Sequence, residues 1–282
     1  MIATEQQPKI IDIPAGEYFT DHSSISQSML KVFADRRRLY EGYFVTREIS
    51  QAADSNPMRK GTALHTAILE PDRFDGMVVT FPADLLASNG AVSTKEAKAF
   101  RAEHEAAGRV VLKEADAAKV RSMAESVKRV CGEWLEMPSR KEHSIYWTDE
   151  ETGLAMKMRL DLLIVGSTPV IFDLKSTADA SPFAFKRICE TMNYGIQQQQ
   201  YIDGVQSVMG IAPRFYFIAI EDSHPFACAI YELDEGSVRR ERDYRRKLLG
   251  DLRDCIETNN WAEPFEQRIN TLSLRPRFIE NE

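Results

Sequence analysis

Apolar residues at Ile25, Met29, Leu30, Val32 and Phe33 recur with the spacing of one helical face, which carries a helix to about Tyr40. Ser24, with Gln27 three residues on, has the form of a capping box and is the expected N-cap. Residues 1–21 lack any such period and read as a loosely ordered arm. Residues 52–59 are polar and contain Asp54-Ser55-Asn56-Pro57, the composition of a loop. Further helices are predicted over 60–69, ended by Pro71, over 94–104, and over 113–135. In the last, Ala117, Val120, Met123, Ala124, Val127 and Val130 keep close to helical period. Val78 to Phe81 reads as a short strand and 84–92 as a loop.

After Pro138 the period shortens. Strands are predicted over 144–148, 155–165 and 170–174, joined by turns at 149–153 and 166–169. Two helices follow over 182–191 and 195–209, then strands over 214–220 and 226–233. A long charged helix over 234–257 closes the pattern. Helices, a strand cluster, helices, two strands and a helix make a mixed α/β domain with a helical N-terminal part packed on it.

The bulk properties narrow the function classes. The 282 residues suffice for one large domain or two small ones, and 43% hydrophobic with 28% charged residues is ordinary for a globular protein. No apolar run reaches the roughly 18–20 residues of a membrane span. The first residues show no basic region followed by an apolar run, so no secretory signal is expected. Cys131, Cys189, Cys228 and Cys255 lie far apart, without the paired spacing of a zinc site, and fit reduced thiols in a cytoplasm. There is no phosphate-binding glycine loop, no GxSxG and no HExxH.

The net charge of −7 opposes a protein that coats nucleic acid, yet permits an enzyme with a local basic track. Basic clusters occur at Arg36-Arg37-Arg38, at Arg239 to Lys247, and at Arg275 with Arg277. The first is the preferred DNA contact; solvated helix faces are the plainer use of such runs.

The candidate chemistry lies in the second predicted hairpin. A turn centred near Ser167 sets Asp161 opposite Asp173, with Cβ atoms roughly 4.5–5.5 Å apart. Lys175, two residues beyond, points to the same face, and Arg159 would lie opposite it. A one-residue slip would undo this register. Opposed carboxylates repel unless a cation neutralises them, and hard oxygen ligands suit magnesium. Such a metal polarises a phosphate and lowers the pKa of a bound water, while a neighbouring lysine orients that water or stabilises phosphate charge. The same spacing also suits a simple surface salt bridge. Gln197 and Tyr201, four apart, share a helical face.

Five segments in order resemble the PD-(D/E)xK nuclease superfamily, in particular its RecE-like branch (the exonuclease VIII type, related to RecB-type nuclease domains). They are the helix beginning Ser24-Ile25-Ser26-Gln27, Gly61 to His65, Tyr146 to Gly153 with Arg159-Leu160-Asp161, Asp173-Leu174-Lys175, and Gln197 to Tyr201. The resemblance implies a restriction-endonuclease-like core, a mixed central sheet flanked by helices. It implies one nuclease domain over 23–265, with a mainly helical part to 137 and a catalytic core from 138, between a flexible arm (1–22) and a tail (266–282). His65, Asp161, Asp173 and the Leu174 carbonyl would face the metal. Lys175 would be the catalytic lysine, with Gln197 and Tyr201 along the site. Glu142 is either another acidic contributor or an exposed charge. Arg159 joins Arg36, Arg37 and Arg38 as a candidate DNA contact.

The activity so implied is a Mg2+-dependent exodeoxyribonuclease, with Mn2+ as a substitute, degrading linear duplex DNA 5′ to 3′ for recombination. A ring-like homo-oligomer, a single-strand-annealing partner protein and a phage or prophage origin follow on the same grounds. The competing readings are an endonuclease of the same fold, a non-catalytic DNA-binding or assembly module, and an unrelated α/β protein.

Overall fold

The computed structural model describes residues 7–50, 55–266 and 269–273. In chain order, β1 (Lys9–Ile11) and α1 (Ala15–Thr20) lead into α2 (Gln27–Asp35) and α3 (Arg37–Tyr40). Next come α4 (Asn56–Leu69), α5 (Phe74–Met77), β2 (Val78–Thr80), α6 (Lys95–Ala106), β3 (Val110–Leu112) and α7 (Glu114–Leu135). The strand-rich half holds β4 (Ser139–Lys141), β5 (Ser144–Thr148), β6 (Ala155–Arg159), β7 (Leu162–Ile164) and β8 (Val170–Thr177). It ends with α8 (Pro182–Thr191), α9 (Tyr194–Met209), β9 (Arg214–Glu221), β10 (Cys228–Tyr231) and α10 (Glu235–Thr258).

The main sheet has the order β10-β9-β8-β7-β4. Only β8 and β9 run parallel in it, because the crossover through α8 and α9 returns the chain in the same direction. Successive side chains of β8 face opposite sides. Ile171 joins a core with α2, α9 and α10, whereas Phe172 and Leu174 join a second core with α4 and α7. The sheet is thus covered on both faces. A smaller antiparallel sheet, β1-β5-β6, packs beside it, and β2 pairs in parallel with β3.

Several local expectations change. Ser26, not Ser24, caps α2: its hydroxyl accepts from the Met29 N–H at 3.3 Å. Ile25 is instead held as strand, its N–H donating to Ala155 O at 2.8 Å and its carbonyl accepting from Lys157 N–H at 3.0 Å. A helix begun at Ser24 would break both of these bonds and leave Ala155 O and the Lys157 N–H without their partner. Residues 9–20 are structured rather than loose, since β1 supplies the edge partner of β5. Residues 56–59 are helix, started by the Ser55 hydroxyl on the Met58 N–H at 3.4 Å and by Pro57 in the first turn. Residues 52–54 of the expected loop, and Arg275 and Arg277, lie outside the described residues. Among the described residues, no helix is long and apolar enough to cross a membrane.

The strand predicted over 155–165 breaks at Leu160-Asp161. Its first half, β6, pairs with β5 in the small sheet, and its second half, β7, pairs with β8 in the main one. This change of sheet sets Asp161 in the gap between the two.

Candidate active site

The hairpin register is the expected one: Leu162 lies opposite Phe172, Leu163 opposite Ile171 and Ile164 opposite Val170. Asp161 sits one step beyond this ladder. Its carboxylate Oδ2 accepts a hydrogen bond from the Leu174 backbone N–H at 2.7 Å. Asp173, 1% exposed, receives the Gln197 side-chain amide on Oδ1 at 2.5 Å and forms an ion pair with Lys175 through Oδ2. Asp161, Asp173, Lys175 and Gln197 therefore meet in one place, although Asp161 is not a ladder partner of Asp173 as the spacing required, and Gln197 arrives as the resemblance implied.

Arg159 does not lie opposite Lys175, because β6 has left the main sheet and pairs Arg159 with Ser144. Its guanidinium turns inward, donating to Glu142 Oε2 at 2.9 Å and to Ile13 O at 3.0 Å. These bonds make it a brace for Glu142, a use different from the expected DNA contact.

His65 arrives from α4, whose Ala63, Leu64, Ile68 and Leu69 anchor the helix in the second core. Its Nδ1 lies 3.3 Å from Glu142 Oε1 and 3.5 Å from Asp161 Oδ1. His65, Glu142 and Asp161 each offer a ligand atom within 4.8 Å of the others. Glu142, whose side chain is 22% exposed, is thus part of the cluster and not a solvated charge. It has a left-handed backbone, φ 53°, uncommon for a residue other than glycine and the kind of local strain that gathers at functional sites. The acid adjoining a strand was the only sequence signal for it.

The electrostatics are those of a buried cluster in which carboxylates and cations act strongly on one another. Burial, helped by Asp173 and Glu142, pushes the Asp161 carboxyl up to about 7, although His65 and Lys175 oppose the shift. Burial disfavours charged His65, yet Asp161 and Glu142 outweigh it and hold the imidazole up at about 9. Lys175 is likewise raised above its ordinary value: burial opposes, and the two aspartates prevail. A divalent cation relieves each of these tensions. The donor set, two carboxylates and an imidazole with Asp173 adjoining, fits a hard or borderline divalent ion.

Tyr201 lies one turn from Gln197, buried against Phe215 with ring centroids 6.2 Å apart. Burial and the nearby aspartates hold its phenol far above the usual range, against a hydrogen bond with Gln197. The glutamine run divides its labour. Gln197 serves the site, while Gln200 donates from Nε2 to Ile25 O and Lys157 O, each at 2.9 Å. Leu174 takes part through its peptide N–H. Arg37 pairs with Asp251 at 3.0 Å and Arg38 with Glu266 at 2.8 Å, while the Arg36 guanidinium lies 5.3 Å from the Phe265 ring centroid. These contacts tie α3 to α10 and the C-terminal segment. In the second cluster, Arg245 and Arg246 are similarly engaged with Asp203 and Asp149.

A sheet that positions an aspartate and a D-x-K lysine beside a His-Glu-Asp cluster, with helices on both faces, defines the PD-(D/E)xK nuclease class. Residues 26–268 match the model of the family described as a PDDEXK-like domain of unknown function (DUF3799), and the chain belongs to that family. None of the curated proteins matches it. Among solved structures, a protein from Eubacterium rectale described as a "Putative exonuclease" superposes with a TM-score of 0.60 at 12% identity, covering 94% of this chain and 97% of that one. At that identity the likeness shows the fold. A second structure, SSO0001, has a TM-score of 0.31 at 14% identity, covering 83% of this chain and 81% of that one, too loose to support more.

Proposed function

We propose that this protein is a divalent-metal-dependent exodeoxyribonuclease that hydrolyses linear duplex DNA from a 5′ end, leaving a 3′ single strand. The observation that carries the reading is the joining of Asp161, Asp173 and Lys175 to His65 and Glu142 in one half-buried cluster. A bound Mg2+ or Mn2+ would supply a Lewis acid for the scissile phosphate and a more acidic water. His65, Glu142, Asp161 and Asp173 are the residues to hold it, and the Leu174 N–H fixes the Asp161 carboxylate for that task. Lys175 keeps a proton beside Asp173 and presents a positive charge to the phosphate and the attacking water. Gln197 holds Asp173 in place, and Tyr201 braces Gln197 from the core.

The exonuclease direction, the recombination role, a ring-like assembly and a single-strand-annealing partner protein are supported by the RecE-like sequence segments. The Eubacterium rectale protein of similar fold is described as a "Putative exonuclease". The test is digestion of linear and closed circular duplex DNA, with Mg2+ or EDTA, by the wild type and Lys175→Ala. Destruction of linear DNA alone, dependent on the metal and lost in the variant, supports the proposal, and end-labelling then sets polarity. Cutting of circles favours an endonuclease. No cutting by the folded wild type overturns the nuclease reading.

A further inference from the structure

Helix α2 carries a cation that the site above does not use. Met29, Leu30 and Phe33 bury one face of the helix, which brings half-buried Lys31 against α9. The Lys31 ammonium donates to Gln197 Oε1 at 3.4 Å and stands 5.0 Å from the centroid of the Tyr194 ring. Lys175 lies 4.9 Å from the same ring centre. Gln197, with its carbonyl oxygen toward Lys31 and its amide on Asp173, links the two lysines through one side chain.

Among the described residues, no carboxylate forms an ion pair with Lys31. Arg37 and Arg38, a turn or two further along, are both neutralised by acids of their own chain. Burial and the like charge of Lys175 pull Lys31 down to about 7, with Asp173 opposing. A partly desolvated ammonium whose nearest partners are an amide oxygen and a π face, with another ammonium close by, has donor capacity left over and no carboxylate paired with it directly. It faces the edge of a site whose substrate is a polyanion.

We infer that Lys31 is a substrate-binding residue that takes a phosphate next to the scissile one, and that Gln197 couples this contact to Asp173. The inference rests on the nuclease reading for its substrate. A lysine is a point charge that binds backbone phosphate without reading sequence, as a general nuclease needs. Lys175 adjoins the metal cluster directly, whereas Lys31 is set off from it by Gln197, so it serves the neighbouring phosphate.

The test measures binding of a linear duplex oligonucleotide to Lys31→Gln, Lys31→Arg and the unsubstituted residue, all in the Lys175→Ala background, across a range of salt concentrations. Cleavage by Lys31→Gln and Lys31→Arg is followed in parallel with Lys175 intact. Lys31→Gln should weaken binding about tenfold and lower the slope of log affinity against log salt by about 0.9, the value for one phosphate contact. Lys31→Arg should restore both. A lysine that merely braced Gln197 would reduce turnover and leave the salt slope unchanged, and that result overturns the inference. Thermal melts of each variant exclude misfolding, and Lys31→Met, which keeps the aliphatic stem, must behave as Lys31→Gln does. If Lys175-intact protein cuts DNA while the Lys31 variants bind as the parent does, this inference alone fails. If the reference protein binds and its salt slope falls with Lys31→Gln, but the Lys175-intact protein cuts nothing, the phosphate contact stands without the nuclease. Neither binding nor cutting overturns both.

Discussion

Asp161 Oδ2 and the Leu174 backbone N–H meet at 2.7 Å, across the point where the chain passes from one sheet to another. The bond pins a buried carboxylate that has no place in either ladder, and it fixes the distance between the two aspartates. An asparagine there keeps an acceptor for Leu174 and loses the charge. Asp161→Asn should melt in EDTA no lower than the wild type, because a carboxylate that burial disfavours is gone. It should lose the metal-induced gain in melting temperature and more than about 100-fold in activity, beyond the 10–100-fold typical of outer-shell changes. A variant that kept full activity would remove Asp161 from the metal site.

Metal response should depend on pH. The Asp161 carboxyl is raised to about 7 from an ordinary 3.8, so its contribution to metal-free stability is complete at low pH and is lost as pH rises through about 7. The His65 imidazole is raised from 6.5 to about 9, and its contribution is present below 6.5 and lost as pH rises through about 9. A cation replaces these protons. The gain in melting temperature from Mg2+ or Mn2+ should therefore be larger at pH 8.5 than at pH 6. Differential scanning calorimetry at the two pH values, with and without metal, checks it; an equal gain would mean the ion binds elsewhere.

The imidazole also bears on which metal serves. Nitrogen donors favour ions later in the first transition row over Mg2+, which prefers oxygen. Titration of activity should show half-saturation at a lower concentration of Mn2+ than of Mg2+. His65→Asp should narrow that gap.

Arg159 and the expected DNA contacts can be separated. Its guanidinium orients Glu142, so Arg159→Ala should raise the metal concentration needed for activity by about 10–100-fold, the scale of outer-shell changes. Duplex affinity measured at saturating metal should stay close to that of the parent. A fall in affinity and salt slope with unchanged metal demand would return Arg159 to the DNA surface.

Gln200 joins three segments, bonding the carbonyls of Ile25 and Lys157 from α9. Its side chain is fully buried. Gln200→Leu removes both bonds at similar bulk and should destabilise the fold by about 1–3 kcal/mol in urea titration. Metal binding by the folded fraction should be unaffected, in contrast to Gln197→Leu, which frees Asp173.

Much of this was written in the residue pattern. Helical period gave α2, α6 and α7, and strand period with turn residues gave β5, β8 and β9. The turn at 166–169 was enough to set the register of Leu162 to Ile164 against Val170 to Phe172, which leaves Asp161 one step beyond the ladder and near Asp173, since the side-chain period of two admits no drift over so short a hairpin. The D-x-K triplet and the four-residue interval from Gln197 to Tyr201 were equally legible, because each depends only on local geometry.

What local geometry could not supply came from tertiary packing. The break at Leu160-Asp161 carries no glycine or proline to mark it, and apolar positions continue on both sides of it. Arg159 therefore parted from Lys175 and turned to Glu142, and His65 joined them from α4, far earlier in the chain. Lys31 shows the same limit. Its place beside Gln197 depends on how α2 docks on α9, which no period along α2 specifies, whereas Arg37 and Arg38 after it are spent on ion pairs within the fold and Arg36 lies against the Phe265 ring. The residue order by itself determined which groups this protein owns and which lie on one strand or helix face; only the packing of the two sheets, α2 and α4 decided which charges stand within hydrogen-bonding distance, because that depends on contacts between segments distant in the chain.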